Sequence, residues 1–339
     1  MKNSQNITVS VCRANVYSAN IRRAITAMVL VFLLACSSPP PEPQPTDGSD
    51  QAYLRGVVGV LSEDIGPRNF RYLENLNKTK MYIAEQFKDM GYTPVFQKYT
   101  VRGRVFANVV ISLGPSDAPL LVVGAHYDTY NDTPGADDNA SGIAGLLLLA
   151  RKLKSVEHTL KSRIELVAYT LEEPPFFRST EMGSFVHAAN LHKSNAKVIG
   201  MICLEMIGYF SEKQGTQSYP LGFMKLVYPS EGDFIGVVSN FGSGNLKSAV
   251  KRGMAKTGIP VETLSAPKSV TGVDFSDHLN YWQFHYKAVM VSDTSFYRNP
   301  HYHELTDTID SLDFTAMAKV VEGVFIAALE LADGEFIRN

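Results

Sequence analysis

Short apolar runs alternate with longer amphipathic segments along most of this chain, and this alternation restricts the fold more than any other feature. Residues 120–125, 163–170 and 197–204 have the length and composition of buried strands. Helical patterns follow such runs, for example at residues 141–153 and 311–332. Parallel strands need connections long enough to hold a helix. The sequence therefore predicts an α/β fold, in which helices sandwich a central mixed, mostly parallel β-sheet.

The other predicted elements fit the same architecture. Residues 209–240 are rich in Gly, Tyr, Pro and Ser, and we interpret them as an insertion or lid. Further strands are predicted at residues 94–101, 105–113 and 288–291, and further helices at 52–65, 70–90, 182–191 and 245–257.

The first 50 residues are typical of an exported, anchored protein. Arg22 and Arg23 precede the largely apolar residues 24–35, which are too few to span a bilayer. The run ends in Leu-Leu-Ala-Cys at Cys36, which resembles the lipid-attachment signal of bacterial lipoproteins. We expect a signal peptide over 1–35, a Pro/Ser-rich stalk over 36–50 and a catalytic domain over 51–339. A plain secretory signal with an incidental cysteine is the alternative.

This leader implies a location in the bacterial cell envelope, with the membrane as a partner through the lipid on Cys36. Ser37 is compatible with the periplasmic face of the outer membrane if the source is Gram-negative. The net charge is −2 at pH 7, so no basic field favours nucleic acid as a partner. Cys203 is the one cysteine after the stalk, so an internal disulfide is not expected there. Oligomeric state stays open.

Residues that commonly bind metals follow the carboxyl ends of several predicted strands. Carboxyl ends of parallel strands meet at one edge of a sheet, where ligands bind in open α/β folds, so we expect these side chains to converge. The residues are His126, Asp128, Asp137, Asp138, Glu172, Glu173, Glu205, His301 and His303.

The chemistry of this set indicates a metal site. Imidazole and carboxylate ligands in mixture suit zinc, with cobalt or manganese as alternatives. Five ligands, one of them a bridging carboxylate, match two metal ions roughly 3.5–4 Å apart. Glu172 and Glu173 would then supply one ligand and one base for proton transfer.

Six sequence blocks, in order, resemble the co-catalytic zinc exopeptidases. That family includes secreted bacterial leucyl aminopeptidases and glutamate carboxypeptidases, and the single-zinc glutaminyl cyclases share its fold. The resemblance covers roughly residues 50–335. The blocks are GAHYDT at 124–129, GADDNASGIAG at 135–145, LEE at 171–173, LEM at 204–206, FSDH at 275–278 and HELTDT at 303–308.

The resemblance implies two zinc ions per chain and a specific set of ligands. His126 and Glu205 would bind one zinc, and Glu173 and His303 the other. Asp137 would bridge the two ions. Many family members have Asp where this chain has Glu205, so the geometry at that ligand can differ.

The resemblance also implies roles for residues around the ligands. Glu172 would be the general base and then the acid that protonates the leaving amine. Asp128 would orient His126, as ligating histidines usually require. Asp138 would follow a cis peptide that aims Asp137; the alternative for Asp138 is a helix N-cap.

The block at 275–278 places Asp277 and His278 near the substrate in the family, although the pair could equally be a helix start without chemistry. Some members carry a tyrosine just before this block, and this chain does not. Tyr297 and Tyr302 are the candidates to replace its hydrogen bond to the substrate carbonyl.

The function that follows is hydrolysis of N-terminal peptide bonds, in which a hydroxide between the metals attacks and Glu172 acts as base. A single-zinc glutaminyl cyclase is the first alternative, and the intact 137–142 run disfavours it. An inactive, lipid-anchored peptide-binding protein is the second. Carboxypeptidase action would need a cationic pocket, which the sequence does not clearly provide.

Overall fold

The computed structural model describes residues 48–333. The predicted signal peptide, Cys36 and nearly all of the stalk lie outside the described residues. The first described helix begins at Gly48, inside the segment 36–50 that we predicted to be stalk. Within residues 48–333, no helix combines the length and apolar character needed to cross a membrane.

Eight strands form one mixed sheet in the order β1-β2-β4-β3-β5-β8-β6-β7. The four central strands β4, β3, β5 and β8 are mutually parallel, while β2 and β6 join them in the antiparallel sense. The strands are β1 (Val95–Val101), β2 (Arg104–Leu113), β3 (Leu120–His126), β4 (Arg163–Tyr169), β5 (Val198–Leu204), β6 (Ile235–Ser239), β7 (Val261–Ser265) and β8 (Ala288–Ser292).

Helices cover both faces of the sheet. The larger core cluster joins one face to α1, α2, α3, α5 and α7, and the smaller cluster joins the other face to α4 and α6. The helices are α1 (Gly48–Gly59), α2 (Leu73–Asp89), α3 (Gly142–Val156), α4 (Gly183–Lys193), α5 (Gly244–Ala255), α6 (His278–Gln283) and α7 (Phe314–Ala332).

The burial of the central strands explains why they read as continuous apolar runs. Every residue of β3 is buried, because α3 covers one of its faces and the smaller core cluster the other. The predicted α/β fold with a mixed sheet is confirmed. Its parallel centre brings the carboxyl ends of β3, β4, β5 and β8 to one edge.

Two strands at the far edge of the sheet were not predicted. β6 lies at the end of the segment 209–240, which we had interpreted as an insertion, and β7 follows α5. β6 (IGVVS) is short, apolar and largely buried, but it lies within the segment that we assigned as a whole to an insertion. β7 (VETLS) is half-buried along its whole length and lacks the apolar run that marks the central strands.

Candidate metal centre

Four sheet strands and the loops after them bring the predicted metal-binding side chains together. His126 is the last residue of β3, Glu205 follows β5 directly, and Glu173 lies shortly after β4. His303 comes from the loop after β8, and Asp138 from the irregular turn Ala136–Ser141 that precedes α3. The carboxyl edge of the parallel strands therefore carries the site, as predicted.

Asp138 lies between the two histidines and offers one carboxylate oxygen to each. Its Oδ1 is 3.3 Å from Nε2 of His126, and its Oδ2 is 3.3 Å from Nε2 of His303. Glu205 completes the first group, with Oε2 3.2 Å from Nε2 of His126. Glu173 completes the second, with Oε2 3.4 Å from Nε2 of His303. Within each group the donor atoms all lie within 4.8 Å of one another.

Asp137, which we expected to bridge the metals, is turned away from this cluster. Its Oδ1 accepts a hydrogen bond from the backbone N–H of Gly208 at 2.9 Å, and its Oδ2 accepts one from Asn299 at 2.7 Å. The expectation was wrong by one residue, and Asp138 holds the position between the histidines. The cis peptide also lies one residue later than expected, between Asp138 and Asn139.

Asp307 fixes the backbone conformation that determines which of the two aspartates, Asp137 or Asp138, faces the histidines. Its carboxylate accepts hydrogen bonds from the backbone N–H groups of Asp137 at 2.9 Å and Asp138 at 3.1 Å. Asn139 ties the same turn to β5, because its amide donates to the carbonyl oxygen of Leu204 at 2.9 Å. Both residues belong to the sequence blocks, but these contacts were not predicted from the sequence.

Asp128 fixes the backbone of the second acidic pair, Glu172 and Glu173, in the same way. Its carboxylate oxygens accept hydrogen bonds from the backbone N–H groups of Glu172 and Glu173, each at 3.1 Å. We expected Asp128 to orient His126. Nδ1 of His126 lies 3.1 Å from the backbone carbonyl oxygen of Asp128 and 3.6 Å from its carboxylate. The main chain of Asp128 therefore orients the imidazole, and its side chain positions the two glutamates.

Arg68 is a fully buried cation that we did not identify from the sequence. Its guanidinium donates to five backbone carbonyl oxygens, including those of Tyr127 at 3.0 Å and Gly135 at 2.7 Å. Gly135 has a φ of +60°, and a Cβ there would come within 2.4 Å of the carbonyl oxygen of Asp138. Arg68 and this glycine together hold the loop between His126 and Asp138.

Two tyrosine rings hold the imidazole of His303. Tyr130 and Tyr302 each stack on it at a centroid distance of 3.8 Å, with interplanar angles of 2° and 17°. Burial alone would lower the pKa of His303, but the carboxylates of Asp138 and Glu173 outweigh it and raise this pKa to about 10. His301 lies outside the cluster, and its Nδ1 lies 2.9 Å from Oγ1 of Thr306.

The predicted substrate-near pair is buried beneath the site and does not line its cavity. His278 donates from Nε2 to the carbonyl oxygen of Val273 at 2.8 Å and packs edge-on against Trp282. Burial raises the pKa of Asp277 to about 7. The preceding residue, Ser276, does reach the cluster, because its hydroxyl donates to Oε2 of Glu205 at 2.6 Å.

The residues fit divalent metal cations. Four buried carboxylates, those of Asp138, Glu172, Glu173 and Glu205, surround two imidazoles. Burial first, and the neighbouring Asp138 second, raise the pKa of Glu173 to about 8. Its Oε1 is buried and has no hydrogen-bond partner among the described residues. Buried charges are normally paired or coordinate metals, so this excess of carboxylate oxygens favours cations.

A cavity of about 290 Å³ opens at the cluster. Glu172, Glu173, Glu205 and His303 line one end, and mainly aromatic and aliphatic side chains line the rest. Tyr297 and Tyr302 both line the cavity. Arg178 is paired with Asp274 and is not part of the lining.

Comparisons with known proteins agree with this geometry. The model of peptidase family M28 matches residues 108–327. An uncharacterized protein of Escherichia coli, YfbL, is 45% identical over 280 residues, which cover 80% of this chain and 85% of that protein. A leucine aminopeptidase 1 from Arthroderma otae is 27% identical over 64% of this chain, which spans only 56% of that relative.

Solved structures share the fold at low sequence identity. The zinc aminopeptidase BSAP of Bacillus subtilis superposes with a TM-score of 0.68 at 14% identity, over 84% of this chain and 96% of that one. The glutaminyl cyclase of Fimbriiglobus ruber superposes with a TM-score of 0.67 at 21% identity, over 88% of this chain and 99% of that one. Because hydrolase and cyclase match equally well, the fold does not discriminate between the two activities.

Proposed function

Because the chain belongs to peptidase family M28, we propose that it is a metal-dependent aminopeptidase that hydrolyses the N-terminal peptide bond of peptides. One observation carries the proposal. The Asp138 carboxylate lies between His126 and His303, so two ligand groups share one bridging residue.

The metals would be held by two overlapping sets of residues. His126, Asp138 and Glu205 would bind one ion, and His303, Asp138 and Glu173 the other. We propose two Zn²⁺, with Co²⁺ or Mn²⁺ as alternatives that the same nitrogen and oxygen donors accept. When bound, such ions activate water and polarise the carbonyl of the scissile bond.

Glu172 would move the proton. Its carboxylate lines the cavity, and one of its oxygens lies within 4.8 Å of donor atoms of His126 and Glu173. Glu172 would take a proton from the attacking water and return it to the nitrogen of the leaving amine. Asp128 holds its backbone, so the carboxylate starts from a fixed position.

The charges that line the cavity favour the amino end of a peptide over the carboxyl end. Among the described residues that line the cavity there are several carboxylates but no lysine or arginine. The bound metal ions would offset the charge of the ligand carboxylates. The lining still offers no lysine or arginine to pair with a C-terminal carboxylate, and Glu262, outside the ligand set, repels one. This supports aminopeptidase rather than carboxypeptidase action.

The test combines metal content with product analysis. We expect about two zinc equivalents per chain and release of residues one at a time from the amino end. The Glu172→Gln variant should keep its metal and lose most turnover, while Glu74→Gln, on the exposed surface of α2, should match the wild type.

Other outcomes would replace the proposal. Full activity of the Glu172→Gln variant would refute the role of Glu172. One equivalent of zinc with cyclisation of an N-terminal glutamine would favour the cyclase. Tight peptide binding without any turnover in zinc-replete protein would favour a binding protein.

We further propose that a lipid on Cys36 anchors the protein in the bacterial envelope, on the periplasmic face of the outer membrane if the source is Gram-negative. The apolar run before Cys36 supports this proposal. Labelling cells with a radioactive fatty acid should mark the wild type and leave a Cys36→Ser variant unlabelled. An equally labelled Cys36→Ser variant would contradict the attachment site.

A further inference from the structure

The cavity at the metal centre continues across the sheet as a slot whose floor is a single row of residues. Ser292 of β8 pairs with Gly236 of β6, which pairs with Glu262 of β7. Glu205 extends this row at the other end, because it follows Leu204, the partner of Val291. All four residues of the row line the cavity.

Two small residues, Ser292 and Gly236, therefore separate Glu205 at the metal centre from Glu262. The row crosses three strand spacings of about 4.8 Å, so β7 lies roughly 14 Å from β5. Because Ser292 and Gly236 are small, the space above them, between the Glu205 and Glu262 carboxylates, is open. A short substrate side chain that starts near Glu205 would end well before Glu262.

The Glu262 side chain faces this slot. Side chains alternate along a strand, so Glu262 lies on the same face of β7 as Leu264. Leu264 lines the cavity together with Val238 and Met290 on the neighbouring strands. No hydrogen bond or ion pair joins the Glu262 carboxylate to another residue in the range 48–333.

The walls near Glu262 are aromatic. The rings of Tyr219 and Tyr228 stack at 5.5 Å, and the Tyr228 hydroxyl donates to the carbonyl oxygen of Thr263 at 3.0 Å. Burial first, and the Glu262 charge second, raise the pKa of Tyr219 to about 12. Tyrosine faces attract cations and also pack against aliphatic stems.

We propose that Glu262 makes this chain select peptides whose N-terminal residue is lysine or arginine. The inference rests on the proposed aminopeptidase function and adds the substrate class. The peptide ammonium would lie near the metal-site carboxylates, the aliphatic stem over Ser292 and Gly236, and the terminal cation beside Glu262. Glu262 is the one charged residue of the described lining that lies outside the metal cluster.

The experiment compares peptides that differ only in this terminal charge. Norleucine has the aliphatic stem of lysine without the ammonium group, so Lys-Ala-Ala and Nle-Ala-Ala form a matched pair, with Arg-Ala-Ala and Leu-Ala-Ala beside them. We expect kcat/KM for the lysine and arginine peptides to exceed that for norleucine by about 10- to 100-fold. Glu262→Gln should bring the ratio to about one, whereas Glu212→Gln, exposed and outside the slot, should keep it.

The failures are distinguishable. Cleavage of the leucine and norleucine peptides without a preference for lysine or arginine, or a preference that persists in Glu262→Gln, overturns the inference and leaves the aminopeptidase proposal intact. Cleavage of none of the four peptides overturns the proposed function. Calorimetric binding of the same peptides to the Glu172→Gln variant then tests the inference, because a lysine peptide that binds no tighter than its norleucine partner overturns it.

Discussion

The Asp128 carboxylate accepts a hydrogen bond from the backbone N–H of Glu172 at 3.1 Å, so the loop after β3 is fixed to the loop after β4. The neighbouring Glu173 N–H binds the second oxygen of the same carboxylate. One side chain therefore sets the positions of both the proposed base and a proposed ligand.

Asp128→Asn should lower kcat more than it raises KM. An asparagine amide turns one acceptor into a donor, so one of the two backbone N–H groups loses its partner. Loss of a hydrogen bond that positions a metal ligand typically lowers activity or metal affinity by roughly 10- to 100-fold. Steady-state kinetics with metal analysis measure this, and wild-type kinetics in the variant would contradict the positioning role.

Asp138→Asn and Asp137→Asn should differ in metal content. Asp138 lies between the two histidines, so Asp138→Asn should lose metal. Its activity should fall by more than the roughly 10- to 100-fold that is typical when only a positioning hydrogen bond is lost. Asp137→Asn should keep its metal content, since the Asp137 side chain contacts Gly208 and Asn299 instead. Metal analysis after gel filtration decides, and loss of metal only in the Asp137 variant would restore our original assignment.

Arg68→Met should destabilise the protein strongly. The backbone carbonyl oxygens of Gly66, Tyr127 and Pro134 would lose their donor in a buried site, while those of Leu61 and Gly135 keep a backbone N–H, and each unsatisfied group costs roughly 1–3 kcal/mol. We expect the free energy of unfolding in urea to fall by at least about 3 kcal/mol. Arg71→Lys, three positions along on the exposed surface, is the control, and equal stability of the two variants would contradict the prediction.

The buried imidazole of His278 should make stability fall in acid. Burial lowers its pKa from the ordinary value of 6.5 to about 4. Between about pH 4 and pH 6.5 the unfolded chain therefore binds a proton at His278 that the folded chain does not bind. Stability is then complete above about pH 6.5 and declines toward pH 4, by about 2 to 3 kcal/mol at pH 4.5.

A His278→Gln variant isolates this contribution, because glutamine keeps a donor for Val273 and does not titrate in this range. Urea unfolding of both proteins at pH 7.5 and 4.5 should show a smaller acid loss in the variant. Parallel stability profiles would mean that His278 contributes nothing to acid sensitivity.

The central part of the fold was predictable because its strands are buried on both faces. β3, β4 and β5 appear as apolar runs, and the residues at their ends point to one edge of the sheet. β7 lacks that signal, and the five-residue β6 lies within the segment 209–240 that we interpreted as an insertion. The row that ends at Glu262 depends on their pairing, so nothing in the sequence pointed to it.

The sequence could not show which of two adjacent acidic residues belongs to the site. In the pair Asp137-Asp138 either residue could bridge the histidines, since the two differ by one position in a turn. The choice is made by Asp307, which lies 170 residues from Asp137 and binds both of their backbone N–H groups. Arg68 shows the same limit, because only the folded loop reveals the carbonyl oxygens that surround it.

The cross-strand row from Glu205 to Glu262 divides the enzyme into parts that can change separately. The proposed reacting groups lie after β3, β4, β5 and β8, whereas the far end of the slot is built on β6 and β7. Substitutions on those two edge strands can alter which peptides are accepted while every metal ligand keeps its position. Relatives with the same metal-binding residues can therefore diverge in substrate preference by exchanging a few side chains at one edge of the sheet.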